Sequence, residues 1–254
     1  MASQFRHFQT KINPDIIPRE LNNPFDEFTP EICKIAATEL QQFLTDNQDN
    51  WAHHFGVEKL KEGPIRGKMF GVLVVRNTIG ELGYLSAFSG VLAQRDHHPN
   101  FVLTQFDFAA EDFFLDRKMT ELTTIGNEIS VLIDQGIDVN AKGILELKAL
   151  RRAKSTALQN KIFDCYSFIN KQKANKSLID IFKDHQNTVP PGGAGECTAP
   201  KLLQYALEKN YTPLGIAEFW WGKQRKSDDR QHGQFYPACE SKCRPILTYM
   251  LDLK

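Results

Sequence analysis

Residues 190–251 read PPGGAGECTAPKLLQYALEKNYTPLGIAEFWWGKQRKSDDRQHGQFYPACESKCRPILTYML, and their reading decides the fold. Pro190, Pro191, Gly192, Gly193 and Gly195 form a loop that cannot be helical. Cys197 follows it, and Pro200 opens a run in which Leu202, Leu203 and Ala206 fall at helical spacing. The plan then repeats. Phe235 and Tyr236 end a strand, Pro237 marks a turn, and Cys239 and Cys243 lie one helical turn apart. Ile246, Leu247, Met250 and Leu251 continue an apolar helical face. Between the two units, residues 214–221 are apolar and aromatic, the pattern of a buried strand.

The order is therefore a cysteine-led helix, a strand and a second cysteine-led helix. A strand between two such helices brings both helix starts to one sheet edge, where three thiolates can meet. Zinc takes four ligands in tetrahedral array, and Cys197, Cys239 and Cys243 supply three. His232, a water or a carboxylate is left for the fourth. The alternative is three small buried thiols with no metal. The glycine loop carries a second expectation. Backbone amides of Gly192, Gly193 and Gly195, together with Lys201 and Arg230, surround one mouth if the helix starts converge, which suits a phosphate or nucleotide. Trp220 and Trp221 alternate across their strand, so one faces the core and the other is placed to stack a base.

The chain has 254 residues, 41% hydrophobic and 24% charged, the composition of a globular protein of one large or two small domains. Its net charge of zero argues against a generally basic nucleic-acid binder, though not against a local patch. The first residues, MASQFRHFQT, have no long apolar segment, so neither a signal peptide nor a membrane span is expected. Five widely spread cysteines suit a reducing cytoplasm.

Pro14, Pro18 and Pro24 keep the first 28 residues extended or looped. Thr29 as cap, Pro30 and Glu31 then start a helix whose apolar face is Ile32, Ile35, Ala36, Leu40 and Phe43. His53 and His54 follow in a polar connection. KMFGVLVV at 68–75 is the strongest strand, apolar throughout and hence covered on both faces. Residues 77–80 turn the chain into a returning strand at 81–89. The loop QRDHHPNFV at 94–102 carries His97 and His98, either a polar cover of the sheet or a site for acid–base or phosphate chemistry. From 108 to 182 there is no proline, and 111–135 and 144–170 read as long amphipathic helices forming an antiparallel hairpin. Lys148, Arg151, Arg152, Lys154 and Lys161 put a basic stripe on the second, a solvated face or an RNA-backbone contact. A short helix at 176–182 leads back to the glycine loop. The fold class expected is α/β, with a small mixed sheet made of the N-terminal hairpin and the C-terminal strands, flanking helices and an inserted helical hairpin. Residues 1–108 and 186–254 build the body and 109–185 the insertion.

GAGECTAPKLLQYA at 193–206, AEFWWG at 217–222 and HGQFYPACESKCRPIL at 232–247 resemble the N-terminal accessory region of long bacterial RluA-type RNA pseudouridine synthases. KMFGVLVV, GYLSAFSG at 83–90 and HHPNFV at 97–102 extend the resemblance over nearly the whole chain, with a charge-rich, variable helical middle. It implies a cytoplasmic protein of RNA modification whose partner is RNA (tRNA or rRNA) or a pseudouridine synthase catalytic subunit. The family's catalytic aspartate lies in an Arg-Leu-Asp motif. These 254 residues have none: Asp116 sits in FFLDRK. The chain stops where the family's catalytic domain would begin, so the resemblance implies an accessory module without pseudouridine chemistry of its own.

A weaker resemblance is to the zinc-dependent deaminase fold, in which a strand hairpin precedes a His- or Cys-led helix and a later helix starts with Pro-Cys-x-x-Cys. Such enzymes activate water at zinc, and a glutamate two residues after the first ligand carries the proton. Here position 199 is Ala199, and Pro237-Ala238-Cys239 is followed by Cys243 with one extra residue. Glu196 and Glu218 are the carboxylates left for a proton carrier. Three readings stand side by side: an RNA- or partner-binding module with a cysteine metal site, a deaminase-type zinc hydrolase, and a metal-free α/β module.

Overall fold

The continuous apolar strand expected near residue 70 is the axis of the computed structural model, which describes residues 4–58, 62–90, 92, 100–103, 105, 112–224 and 229–253. Strand β1 spans Lys68–Arg76 and returns as β2, Leu82–Phe88, in an antiparallel hairpin that pairs Val72 with Ser86. On its other side β1 pairs antiparallel with β5, Thr212–Trp221, setting Phe70 against Phe219 and Gly71 against Glu218. The register shifts between Val74 and Val75, leaving Leu214 as the extra residue of a bulge next to Pro213. The short β6, Phe235–Tyr236, completes the order β2-β1-β5-β6. The α/β body is thus present, and all its strand pairs among the described residues are antiparallel.

Both faces of the sheet are covered, which is why β1 tolerates no polar alternation. Helix α1, Glu31–Asp46, lies on one face and buries Ile32, Cys33, Ala36, Ala37, Leu40 and Leu44. It meets Phe70, Val72, Val74, Ala217, Phe219 and Trp221 in a single core. Its N-cap is Pro30 and not Thr29, and no side chain caps it. Helix α5, Thr198–Glu208, covers the other face. Two glycines set these distances. A Cβ on Gly215 would stand 2.6 Å from Cys33 Sγ in α1, and one on Gly71 would stand 3.0 Å from Thr198 Cβ in α5. The rims of the sheet are closed by the N-terminal segment. Arg6 exchanges backbone hydrogen bonds with Tyr84 beside β2, and Asn22 pairs its side-chain amide with both backbone groups of Ile216.

Helix α6, Arg244–Leu251, packs beside α5 and against α4, Leu178–Gln186. Before α4, the hairpin of β3, Ser167–Ile169, and β4, Asn175–Ser177, forms a separate two-stranded sheet. Sequence reading continues a helix through residue 170, whereas the chain leaves the helix at Cys165, because Tyr166, Phe168 and Ile169 favour an extended, buried path. Ser177 caps α4 by accepting from the Asp180 N–H, so that helix starts two residues later than expected.

A second compact unit spans residues 105–166, while 167–254 join 1–104 in the first. The insertion expected over 109–185 therefore closes near residue 166. It is a hairpin of α2, Asp112–Asp134, and α3, Lys142–Asp164, held by a small apolar cluster of Leu115, Leu122 and Leu158. Among the described residues no helix is long and apolar enough to cross a membrane.

Candidate metal centre

Cys197 is the N-cap residue of α5, and Cys243 is the N-cap residue of α6. Cys239 sits one turn before Cys243, whose N–H donates to the Cys239 carbonyl. Because α5 and α6 pack side by side, their starts coincide in space. The three Sγ atoms all lie within 4.8 Å of one another, and those of Cys239 and Cys243 are 3.4 Å apart. Sulfurs sharing a zinc stand roughly 4 Å apart, so this cluster can hold a metal ion. The donor set is three sulfurs, suited to a soft or borderline cation. Beside it the Thr198 hydroxyl is buried with no hydrogen-bond partner among the described residues, an orphan polar group at the same helix start.

Electrostatics within the cluster are uneven. Thiol hydrogen bonds from Cys197 and Cys243, then backbone N–H groups of Lys242 and Cys243, hold the Cys239 thiol far below its ordinary value. Cys197 is raised chiefly by its hydrogen bond with Cys239, and Cys243 by its hydrogen bonds with Cys197 and then Cys239, with burial adding to both. Charge in the cluster is therefore favoured on Cys239, with Cys197 and Cys243 biased toward the thiol. Binding of a metal would ionise the others and release their protons.

Glu218 is the cluster's nearest chemical neighbour. It projects from β5 on the α5 face, is 8% exposed, and accepts a hydrogen bond from the Ala199 N–H at 3.1 Å. Burial, then the Cys239 charge, pushes its carboxyl up to about 8. The Glu218 carboxylate thus lies against the first turn of α5, at the backbone of Ala199. The space beside it is about 10 Å³, room for about one water, and is lined by Asn22, Pro24, Phe28, Tyr236 and Ala238 among others.

Other expected site residues lie elsewhere. His232 does not join the cluster: its Nδ1 accepts from the Gly222 N–H at 3.0 Å and its ring packs on Trp221. Glu196 turns to Lys201, 3.2 Å away. Lys201 is 3% exposed and donates to the carbonyls of Phe88 and Gly90, so it braces α5 against the end of β2 and offers nothing to a phosphate. Burial outweighs Glu196 and lowers its pKa. The glycine loop is closed by turns through its non-glycine amides. Gly193 and Gly195 take positive φ, and the N–H groups of Ala194 and Glu196 close turns on Pro191 and Gly193. Gly192 belongs to the same turn. Arg230 lies over the Trp220 ring. Trp220 and Trp221 are 2% and 6% exposed, so both pack in the core and neither presents a face for a base. Lys201, Trp220 and Trp221 therefore do not line the expected phosphate mouth. His97 and His98 lie outside the described residues.

His53, expected in a solvated connection, is buried with Nε2 2.6 Å from the Arg66 carbonyl. The cover of Glu218 by residues 22–29 had no local signal, since it depends on Asn22 meeting Ile216 across 194 positions.

Comparison with protein-family models, curated proteins and solved structures found no match for the chain.

Proposed function

We propose that this protein is a zinc–thiolate module of RNA modification, in which Cys197, Cys239 and Cys243 hold a structural zinc and the chain serves RNA or a pseudouridine synthase catalytic subunit. One observation carries the reading. The stretches that resemble the RluA-type accessory region are the same stretches that build the metal centre: 193–206 supplies Cys197 and α5, 217–222 supplies Glu218, and 232–247 supplies Cys239 and Cys243. A metal there would tie two helix starts to one strand. The space beside Glu218, about 10 Å³ and too small for a nucleobase, supports a structural role.

A second reading is a zinc hydrolase of the deaminase type. It is supported by the ligand count and by Glu218. Three sulfurs leave a tetrahedral cation one open position for water, and a buried carboxyl titrating near neutrality is suited to carry a proton. Under this reading residues 22–29 must withdraw to admit a substrate.

Metal content of protein purified without chelator tests the first part. We expect one zinc per chain, lost in Cys197→Ala and in Cys239→Ala. Protein without metal ends both readings. Ammonia release from cytidine, adenosine and RNA separates them. Under the module reading none is released, and no pseudouridine is made in total RNA. Under the hydrolase reading ammonia appears and Glu218→Gln, which keeps the metal, abolishes it.

A further inference from the structure

The seam of the helical hairpin changes character along its length. At one end Leu115, Leu122, Leu158 and the half-buried Ile162 make an ordinary apolar contact. Farther along, the groove lining is mostly polar, with Ile129 as its apolar member. Thr123, Gly126, Asn127 and Ser130 on α2 recur at i, i+3, i+4 and i+7, and Lys148, Arg151, Arg152 and Ser155 on α3 do the same. Each set therefore forms one helix face, and the two faces line a groove of about 760 Å³. Paired helices normally bury apolar residues at such positions. This hairpin buries Ile125 and Ile144 and keeps a largely polar groove beside them.

The groove is suited to an anion. Three cations line it and, among the described residues, no Asp or Glu does. The whole chain has 31 basic and 31 acidic residues, so the local excess is not a general property of the molecule. No carboxylate among the described residues pairs with Lys148, Arg151 or Arg152. The basic groups are held in place. Arg151 Nε donates to the Leu122 carbonyl at 3.3 Å, and Lys148 Nζ donates to the Val139 carbonyl at 3.1 Å. Gly126 lies against this side chain, where even a Cβ would stand in ordinary contact, 3.5 Å from Arg151 Nε. Ser155 and Thr156 add hydroxyls to the lining, whereas the Thr123 and Ser130 hydroxyls donate back to the Met119 and Gly126 carbonyls of α2.

We infer that this groove binds the phosphodiester backbone of a nucleic acid. Its size admits a run of sugar-phosphate units, well beyond one phosphate, and its length follows two parallel polar faces. No aromatic residue lines it, so it has no platform for stacked bases and reads backbone, not sequence. The groove stands on its own residues. It rests on the RNA-modification reading only for the expectation that RNA is preferred to DNA.

Fluorescence anisotropy with labelled RNA duplex, single-stranded RNA and DNA duplex, each at several salt concentrations, tests it. The wild-type affinity should fall steeply with salt, because each neutralised phosphate releases condensed counterion. Lys148→Ala combined with Arg152→Ala removes two exposed cations while leaving the Arg151 bond to α2. It should shallow the log–log salt slope by about two and weaken binding at low salt on the order of tenfold or more. Lys11→Ala with Lys34→Ala removes equal charge from the other unit and should change little, with circular dichroism verifying that each variant is folded. Equal losses in the two double variants, or an unchanged slope in the groove variant, overturns the groove, as does absence of binding to all three probes. Groove-dependent binding that favours RNA supports both this site and the RNA reading. Groove-dependent binding without preference for RNA supports the site and counts against that reading.

Discussion

Lys201 and Glu196 show how a residue pair acquires a role that its types alone do not announce. A lysine at the start of a helix next to a glycine-rich loop suits an anion site, yet its ammonium is enclosed by Glu196 and two carbonyls. Both Glu196 carboxylate oxygens are buried and have no other hydrogen-bond partner among the described residues. Removing the cation leaves that carboxylate enclosed without its counter-charge. Lys201→Met should therefore destabilise the protein by about 3–5 kcal/mol, the usual cost of breaking a buried pair from one side. Adding Glu196→Gln should recover part of the loss. Urea denaturation of the two singles and the double gives the coupling. Additive losses would mean that the pair is solvated and not braced.

At the scale of elements, the metal centre depends on how closely two helices can approach one sheet. Gly71 in β1 lies beneath Thr198 and Leu202, and its missing side chain lets the start of α5 settle on the strand. Gly71→Ala puts a Cβ 3.0 Å from Thr198 Cβ, within a packed contact that must shift. We expect a loss of about 1–3 kcal/mol, typical of overpacking. Zinc affinity should fall too, because Cys197 is carried on the displaced helix start. Competition with a chromogenic chelator measures it. Unchanged affinity in a destabilised Gly71→Ala protein would show that Cys197 is positioned by its own loop.

At the scale of the whole molecule, the chain divides into an α/β unit that contains every candidate metal ligand and a helical hairpin that contains none of the three cysteines. A metal bound at the cysteines would stabilise the first unit by mass action, because the unfolded chain has no such cluster. Chelation should therefore lower hydrogen-exchange protection around α5, β5 and α6 and leave α2 and α3 nearly unchanged, with far-ultraviolet circular dichroism losing only part of its helical signal. Loss of protection in both units together would mean that they unfold as one.

Local chemistry alone was enough for several features. The apolar run at 68–75 can only be a strand covered on both faces, and the two cysteine-led helices with a strand between them put three thiols within reach of each other. Periodicity likewise located the long helices, though not the exit at Cys165, where buried aromatic residues outweigh helix continuation. Only the tertiary structure decided which polar residues belong to the site. Trp220, Trp221, Lys201 and His232 look functional in sequence and are consumed by packing and internal hydrogen bonds, because burial is a property of what lies opposite and not of the residue. Glu218 reaches the Ala199 amide through strand–helix packing, across 19 positions of chain. The groove on the helical hairpin has the same origin. Its basic stripe is visible in one helix, but the polar face opposite it is set by the register of two helices, which no local pattern specifies.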